Sequence, residues 1–451
     1  MEKLNIIADI SNEQNFGCKN EPIIPIDVME ISIKNMAGEI KQTLPADGYA
    51  VLFADETAES LVSAYLLAKA LSPDKLHAIV INHGLSVYKT EKELVEELRN
   101  LGFTKIHISD ASESIFGIKN RNTTQKENSV SIVTSPLSVK SFVKRKWTEA
   151  QDEAYKSIDL PQDKIFVVDF SSNDKNGIKP AKPQYANLKN NDILTEPIAI
   201  TKARDENRVI FTNKHWSCRE IKAFAKYICE KKQFSRAVNC SAHDISELIH
   251  VSKPIKRVNL NKLLELKDLI SDYEFASDLA PITSVESSAE KKRIFKHPML
   301  IATNKHSLRD VMHITRMIPS NLNFINRILV RIDGTDLPES PANYGLRVRP
   351  KTVSVAKAIN RIVMERLNCD SIASCKAILI PLAKSKEAPG SCVIRAKAYG
   401  NSGDERTAIP GIDFDENILT EIAKEIKHTC PRIGMVFYEA TPHIPKTTNA
   451  L

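Results

Sequence analysis

"VLFADETAES", residues 51–60, reads as the end of a strand, a tight loop and the start of a helix. Ala50, Val51, Leu52 and Phe53 are apolar and β-prone, and Leu61, Val62, Ala64, Tyr65, Leu66 and Leu67 follow at helical spacing. Strand, loop and helix in this order present backbone N–H groups to phosphate at the helix start. Loops of that kind carry glycine. This one has none, and it holds Asp55, Glu56 and Glu59 instead.

The pattern around the loop sets the fold class. "LHAIVIN" (76–82) is a buried-type strand, and "TEKELVEELRNLG" (90–102) is an amphipathic helix. Thr90, three residues before Glu93, predicts a capping box, and Gly102 suits the C-cap. "KIHISD" (105–110) is a third strand. Strand and helix alternate, which predicts a doubly wound parallel sheet. A helix is expected over 136–158, a strand over "KIFVVDF" (164–170) and a helix over 217–231. Residues 117–135 read as a loop, and 171–196, rich in Asn, Lys, Pro and Asp, as a mobile segment. The domain plan is an N-terminal extension (1–45), a first α/β domain (46–235), a linker or insert (236–296) and a second domain (297–451). In the second domain strands are expected at 298–303, 326–332, 376–382, 391–398 and 433–438. Helices are expected at 306–317, 352–367 and 415–428, giving an α+β arrangement.

Composition narrows the function. The chain has 451 residues and a net charge of +7 spread along its length. That balance suits anionic small molecules, and no basic block interleaved with aromatics points to nucleic acid. No apolar run reaches the ~18–20 residues that cross a bilayer. A cytoplasmic protein is expected. The eight cysteines are scattered, with no CxxC, and read as reduced thiols, Cys218 and Cys229 on one helix among them. No metal site is expected.

"LHAIVINHGLSVYKTEKELVEELRNLGFTKIHISDASESIF" (76–116) resembles GMP synthase, in its ATP-pyrophosphatase domain. "SPLSVKSFVKRKWTEAQDEA" (135–154), "KIFVVDFSSND" (164–174) and "REIKAFAKYI" (219–228) follow in the family's order. So do "SLRDVMHITRMIPSNLNFINRILVRI" (307–332), "AILIPL" (377–382), "GSCVIRAKAY" (390–399) and "IGMVFYEATPHIPKTTNAL" (433–451), which resemble the family's C-terminal dimerisation domain in its long, eukaryotic-type form. The resemblance implies an adenine-nucleotide alpha-hydrolase-like (PP-loop ATPase) fold followed by an α+β dimerisation domain, and hence a homodimer. The family's glutamine amidotransferase domain has no counterpart in the few residues before Gly48. Ammonia would then come from solution or from a separate glutaminase subunit.

In the family, ATP with Mg²⁺ adenylates XMP, ammonia displaces AMP, and pyrophosphate leaves. Its loop reads "SGGVDS". Laid on that motif, Ala54, Asp55, Glu56, Thr57, Ala58 and Glu59 fill the six positions, with Ser60 just beyond. Neither glycine and neither serine of the motif is present. Like charges ~4 Å apart repel by about 1 kcal/mol in water and about 4 kcal/mol near a protein surface. Carboxylates at 55 and 56 therefore oppose pyrophosphate unless Mg²⁺ bridges them. The second strand ends in Asn82, His83 and Gly84, with Asn82 at the family's Asp. His83 reads either as a nucleobase contact or as an exposed loop residue. The paired histidines expected at 180–195 and the proline-rich lid expected at 235–246 are absent. At the XMP end, Arg395 matches the family's arginine and reads either as a phosphate ligand or as an interface salt bridge. His443 replaces the family's lysine, Thr447 matches, Lys446 is a substitute cation, and Leu451 replaces the final acid.

No catalytic residue is identifiable, and no cofactor is certain. ATP and Mg²⁺ are expected only if the ancestral reaction survives. The expected function is a GMP-synthase-like protein impaired in XMP amination, acting as a dimeric scaffold or a purine-nucleotide-responsive regulator, with an active GMP synthase as a partner. The alternative is an active ammonia-dependent or separate-glutaminase-dependent ligase.

Overall fold

The computed structural model describes residues 26–116, 136–171, 198–202, 208–213, 218–234, 248–250, 259–287 and 293–441, apart from short gaps at 85, 87–88, 162–163, 272, 274, 339–341, 344–345, 347, 370, 384 and 400–404. The expected loop at 117–135 and most of the segment expected to be mobile, 171–196, lie outside them.

Helix α1 (Ile26–Thr43) opens the described chain, burying Met29, Ile33, Met36 and Ile40 along one stripe. Then come β1 (Tyr49–Ala54), α2 (Ala58–Ala70), β2 (Leu76–Asn82), α3 (Glu91–Leu101), β3 (Lys105–Asp110), α4 (Ser112–Phe116), α5 (Pro136–Lys156) and β4 (Ile165–Ser171). Strands β5 (Ile198–Lys202) and β6 (Arg208–Asn213) and helix α6 (Cys218–Lys232) complete this part. The sheet order is β3-β2-β1-β4-β6-β5. All neighbours are parallel except β5, which pairs antiparallel with β6. Sequence periodicity anticipated neither β5 nor β6.

Strand alternation divides this sheet's side chains between two cores. Ala50, Leu52, Ala78, Val80, Phe166 and Val168 pack with α1, α2, α3 and α6. Val51, Ile79, Ile81, Ile165 and Val167 pack with α4 and α5. Helices thus cover both faces, as a doubly wound α/β sheet requires. The Thr90–Glu93 capping box forms in full, and Gly102 takes the left-handed conformation at φ 110°.

After α6 come α7 (Leu260–Leu269), β7 (Ala276–Leu279), β8 (Ser284–Ser287) and β9 (Arg293–Ala302), then α8 (Leu308–Ile314), α9 (Ile318–Asn321) and β10 (Ile325–Arg331). The chain goes on through β11 (Ala342–Asn343), α10 (Pro350–Arg366), β12 (Ile372–Ile380), β13 (Leu382–Ala383), β14 (Gly390–Tyr399), β15 (Glu405–Thr407), α11 (Asn417–Thr429) and β16 (Ile433–Glu439). A mixed sheet runs β12-β14-β16-β10-β9-β7, with β15 on β14 and β8 on β9. Helices α8, α10 and α11 pack on one face, and Leu300, Leu329, Ile378, Val393 and Phe437 form a separate core on the other. Strand β9 begins earlier than the expected 298. The helix expected over 306–317 breaks after Ile314 into a 3₁₀ turn, where the Thr315 hydroxyl donates back to the Val311 carbonyl. No helix among the described residues is long and apolar enough to cross a membrane.

One buried ionic group pins this second sheet. Arg327 Nη1 on β10 donates to Glu439 Oε1 at 2.6 Å, and Arg395 Nε on β14 donates to Glu439 Oε2 at 2.5 Å. Arg327 and Glu439 are both fully buried. Burial alone would raise the Glu439 carboxyl, but the two guanidiniums outweigh it and hold it at about 2, against an ordinary 4.5. Removing the charge strands two cations, which costs about 3–5 kcal/mol in a buried pair. Glu439→Gln is therefore expected to lower urea-unfolding stability by about that much at pH 7. The wild type should lose this contribution as pH falls from 4.5 towards 2, and the variant should show a flatter acid limb.

Candidate functional site

Strand β1 has β2 on one edge and β4 on the other. The chain leaves it towards β2 and β3, then returns across the other face through α5 to β4. Winding reverses beside β1, and doubly wound sheets open a crevice at such a point, outside the strand C-termini. Residues 54–60, from the end of β1 through the first turn of α2, sit there.

The loop is closed on itself. The Asp55 carboxylate (Oδ1) accepts from the Thr57 N–H at 2.8 Å and from the Thr57 hydroxyl at 2.5 Å. The same hydroxyl oxygen caps α2 by accepting from the Ser60 N–H at 3.1 Å. The Asp55 N–H donates to the Ser60 hydroxyl at 3.0 Å. Three backbone donors at the helix entrance are thus spent on loop side chains, and a carboxylate already lies against the end that attracts anions. Ala54 and Ala58 are buried and contribute packing alone to these positions. Glu59, in the first turn of α2, complements the helix dipole. Glu56 points to the next loop, where its Oε2 accepts from the Lys89 N–H at 3.1 Å.

The second loop is held as tightly. Asn82 Nδ2 donates to Asp110 Oδ2 at 3.1 Å, and its Oδ1 accepts from the Gly84 N–H at 3.1 Å. Gly84 has φ 67°, a conformation that disfavours other residues. Asn82 therefore builds the turn that Gly84 permits. His83 lies between them, partly buried, with Nε2 3.5 Å from the Ser86 hydroxyl. Burial, then the nearby Lys357 charge, push its pKa from 6.5 to about 4, so the ring is neutral at pH 7.

Three further residues complete the site. Lys357 on α10 reaches across from the second sheet's helices, and its Nζ donates to the Gly84 carbonyl at 2.7 Å. Burial lowers the Lys357 pKa, while the Glu56 charge pulls it back up. Lys89 Nζ lies 2.5 Å from Glu97 Oε1, with both side chains under a tenth exposed. No sequence signal marked Lys357, because its partner is 273 residues away. Lys89 sits just before the Thr90 cap and could have been picked out.

The structure thus joins Asp55, Glu56, Thr57 and Ser60 to the Asn82–His83–Gly84 turn through Lys89 and Lys357. Arg395 is not shown in this group. It is 5% exposed, and its guanidinium is bound to Glu439 within one chain. His443, Lys446 and Thr447, and the stretches at 180–195 and 235–246, lie outside the described residues. Among the described residues no cluster of three or more His, Cys, Asp or Glu could hold a metal. The residues present do not fit Mg²⁺–ATP as they stand. Asp55 already takes the Thr57 donors that would meet phosphate, and Glu56 takes the Lys89 N–H of the next loop.

No protein-family model matches the chain. Among solved structures it is similar to the NH3-dependent NAD synthetase from Campylobacter jejuni in complex with the nitrate ion, at 15% identity and a TM-score of 0.26, over 46% of this chain and 76% of that one.

The neutral His83 makes a pH prediction. Its contribution to stability is complete above pH 6.5 and is lost as pH falls towards 4, because the unfolded chain takes up the proton first. A tenfold difference in proton affinity is worth about 1.4 kcal/mol, and partial exposure reduces the total to roughly 2 kcal/mol. Urea midpoints at pH 7.5 and 5 should differ less in His83→Gln than in the wild type, and an NMR titration should place the His83 pKa near 4.

Proposed function

We propose that this chain is a GMP-synthase-like protein in which the pyrophosphate loop is filled by its own carboxylates, leaving XMP amination impaired or lost. It acts as a dimeric scaffold or as a purine-nucleotide-responsive regulator in the cytoplasm, pairing through its C-terminal α+β part. One observation carries the loss of activity: Asp55 takes the Thr57 N–H and hydroxyl at the start of α2, where phosphate would need donors. A loop evolved to receive phosphate leaves such groups open, and glycines let the ligand approach them. Here Glu56 adds a second negative charge, itself tied to the Lys89 N–H.

Calorimetry with Mg²⁺–ATP, alone and with XMP, tests this, backed by a pyrophosphate-release assay with ammonia. The wild type should bind Mg²⁺–ATP no tighter than about 1 mM, the limit of weak association. Asp55→Gly/Glu56→Gly should bind inorganic pyrophosphate at least about tenfold better than the wild type, since each charge-assisted hydrogen bond regained is worth about 1.5–3 kcal/mol. Tight wild-type binding with pyrophosphate release would make the chain an active ammonia-dependent ligase and sink the proposal.

A further inference from the structure

A second site candidate lies at the other end of α2. Helices α1, α2 and α6 enclose a groove of about 490 Å³. Lys69 faces it, nine residues from Ser60 and so about 13 Å along the helix from the loop. Nothing in the reaction discussed above uses this groove.

Its lining is strongly unbalanced. Lys34 and Lys41 come from α1, Lys69 from α2 and Lys231 from α6. One carboxylate, Glu30, lines the groove with them, and Lys69 Nζ stands 5.5 Å from the centre of the Tyr65 ring. Glu30 Oε1 accepts from Lys231 Nζ at 2.8 Å and from the Tyr227 hydroxyl at 2.6 Å. Among the described residues Lys34 and Lys41 form no ion pair. Lys41, Lys69 and Lys231 each lie in the last turn of a helix, where a cation offsets about half a negative charge. That accounts for a lysine at each end. It leaves the groove positive after the offset, and Lys34 lies mid-helix beyond the dipole's reach.

Gly38 is a separate observation. It occupies the interior of α1 and lines the groove. Glycine there weakens a helix. The fold's own packing does not demand it, since a Cβ at this position would meet no atom within 4 Å. With Ala37 and Ala70 it keeps the groove wall low. A small residue facing open space in a groove lined by four lysines suits close approach by an outside group.

We propose that the α1–α2–α6 groove binds a small multivalent phosphate anion, held by Lys34, Lys41, Lys69 and Lys231, with Gly38 giving it room. Its volume falls in the range of small-molecule sites. The modest charge of the whole chain argues against an extended nucleic-acid surface.

The test is calorimetric titration of the full chain with inorganic tripolyphosphate at low ionic strength. The wild type should bind one equivalent saturably. Lys34→Gln/Lys69→Gln should weaken binding by about tenfold or more, since two charge-assisted contacts are lost. Gly38→Leu, which leaves the charge unchanged and fills the groove, should weaken it as much. Lys351→Gln/Lys424→Gln, on α10 and α11, should leave it unchanged. Absent wild-type binding, equal loss in the control pair, or full binding in a folded Gly38→Leu would each overturn the site. So would a short single-stranded oligonucleotide that binds more tightly than tripolyphosphate and ignores Gly38→Leu. Thermal melting confirms that each variant is folded, and the lysine pair decides the matter if Gly38→Leu is not.

Discussion

Strand β1 is hydrogen-bonded along both edges and packed on both faces, so its position is fixed before the loop that follows it has any say. Backbone groups released at its C-terminal end must find partners, because an unpaired buried donor costs about 1–3 kcal/mol. A phosphate-binding loop defers that need to its ligand. This chain meets it with Asp55, Thr57 and Ser60, which close a ring of short-range bonds across the start of α2. The acids at 55 and 56 are therefore not stray charges on a solvated turn. Asp55 acts as the loop's anion, and Glu56 ties it to the next loop through Lys89.

Magnitudes favour this closed state over ligand. A phosphate entering the loop must displace a carboxylate held by two bonds, which costs a few kcal/mol when such bonds are charge-assisted. It must then sit beside displaced acids that repel it by about 4 kcal/mol each at contact distance. The contrast with the α1–α2–α6 groove is physical: four lysines and one carboxylate line it, and only Lys231 is paired with that carboxylate.

Much of the fold was legible because apolar periodicity and caps are local signals. The apolar runs of β1 and β2, the helical spacing of α2, the Thr90–Glu93 box and Gly102 all depend on residues a few positions apart. Strands β5 and β6 were not, since "IAITK" and "RVIFTN" are short and sit among polar residues. Helix α7 and strands β7 and β8 lie in the stretch from 236 to 296, where charge masks the pattern, yet β7 and β8 pair with β9. At the site, the acidic loop and the turn glycine could be read directly. Lys357 could not, because its role exists only once α10 meets the β2 turn. The Arg395 alternatives were open in sequence because its partner, Glu439, stands on a different strand.

The same geometry explains how such a loop persists without damage to the fold. A core continuous from Val51 and Val167 to Ile394 and Tyr438 joins the two sheets, and none of its buried side chains belongs to residues 54–60. Two lysines cross between the parts, Lys222 to the Ala373 carbonyl and Lys357 to the Gly84 carbonyl, and neither needs phosphate to do so. Ala54 and Ala58 pack in the other core as small apolar residues, a role glycine or aspartate would fill less well. The loop therefore needs no ligand to complete its hydrogen bonding, because Asp55, Thr57 and Ser60 supply those bonds from within it. The loop is thus held by the same kind of short-range bond that caps α3, and the fold on either side of it rests on its own packing.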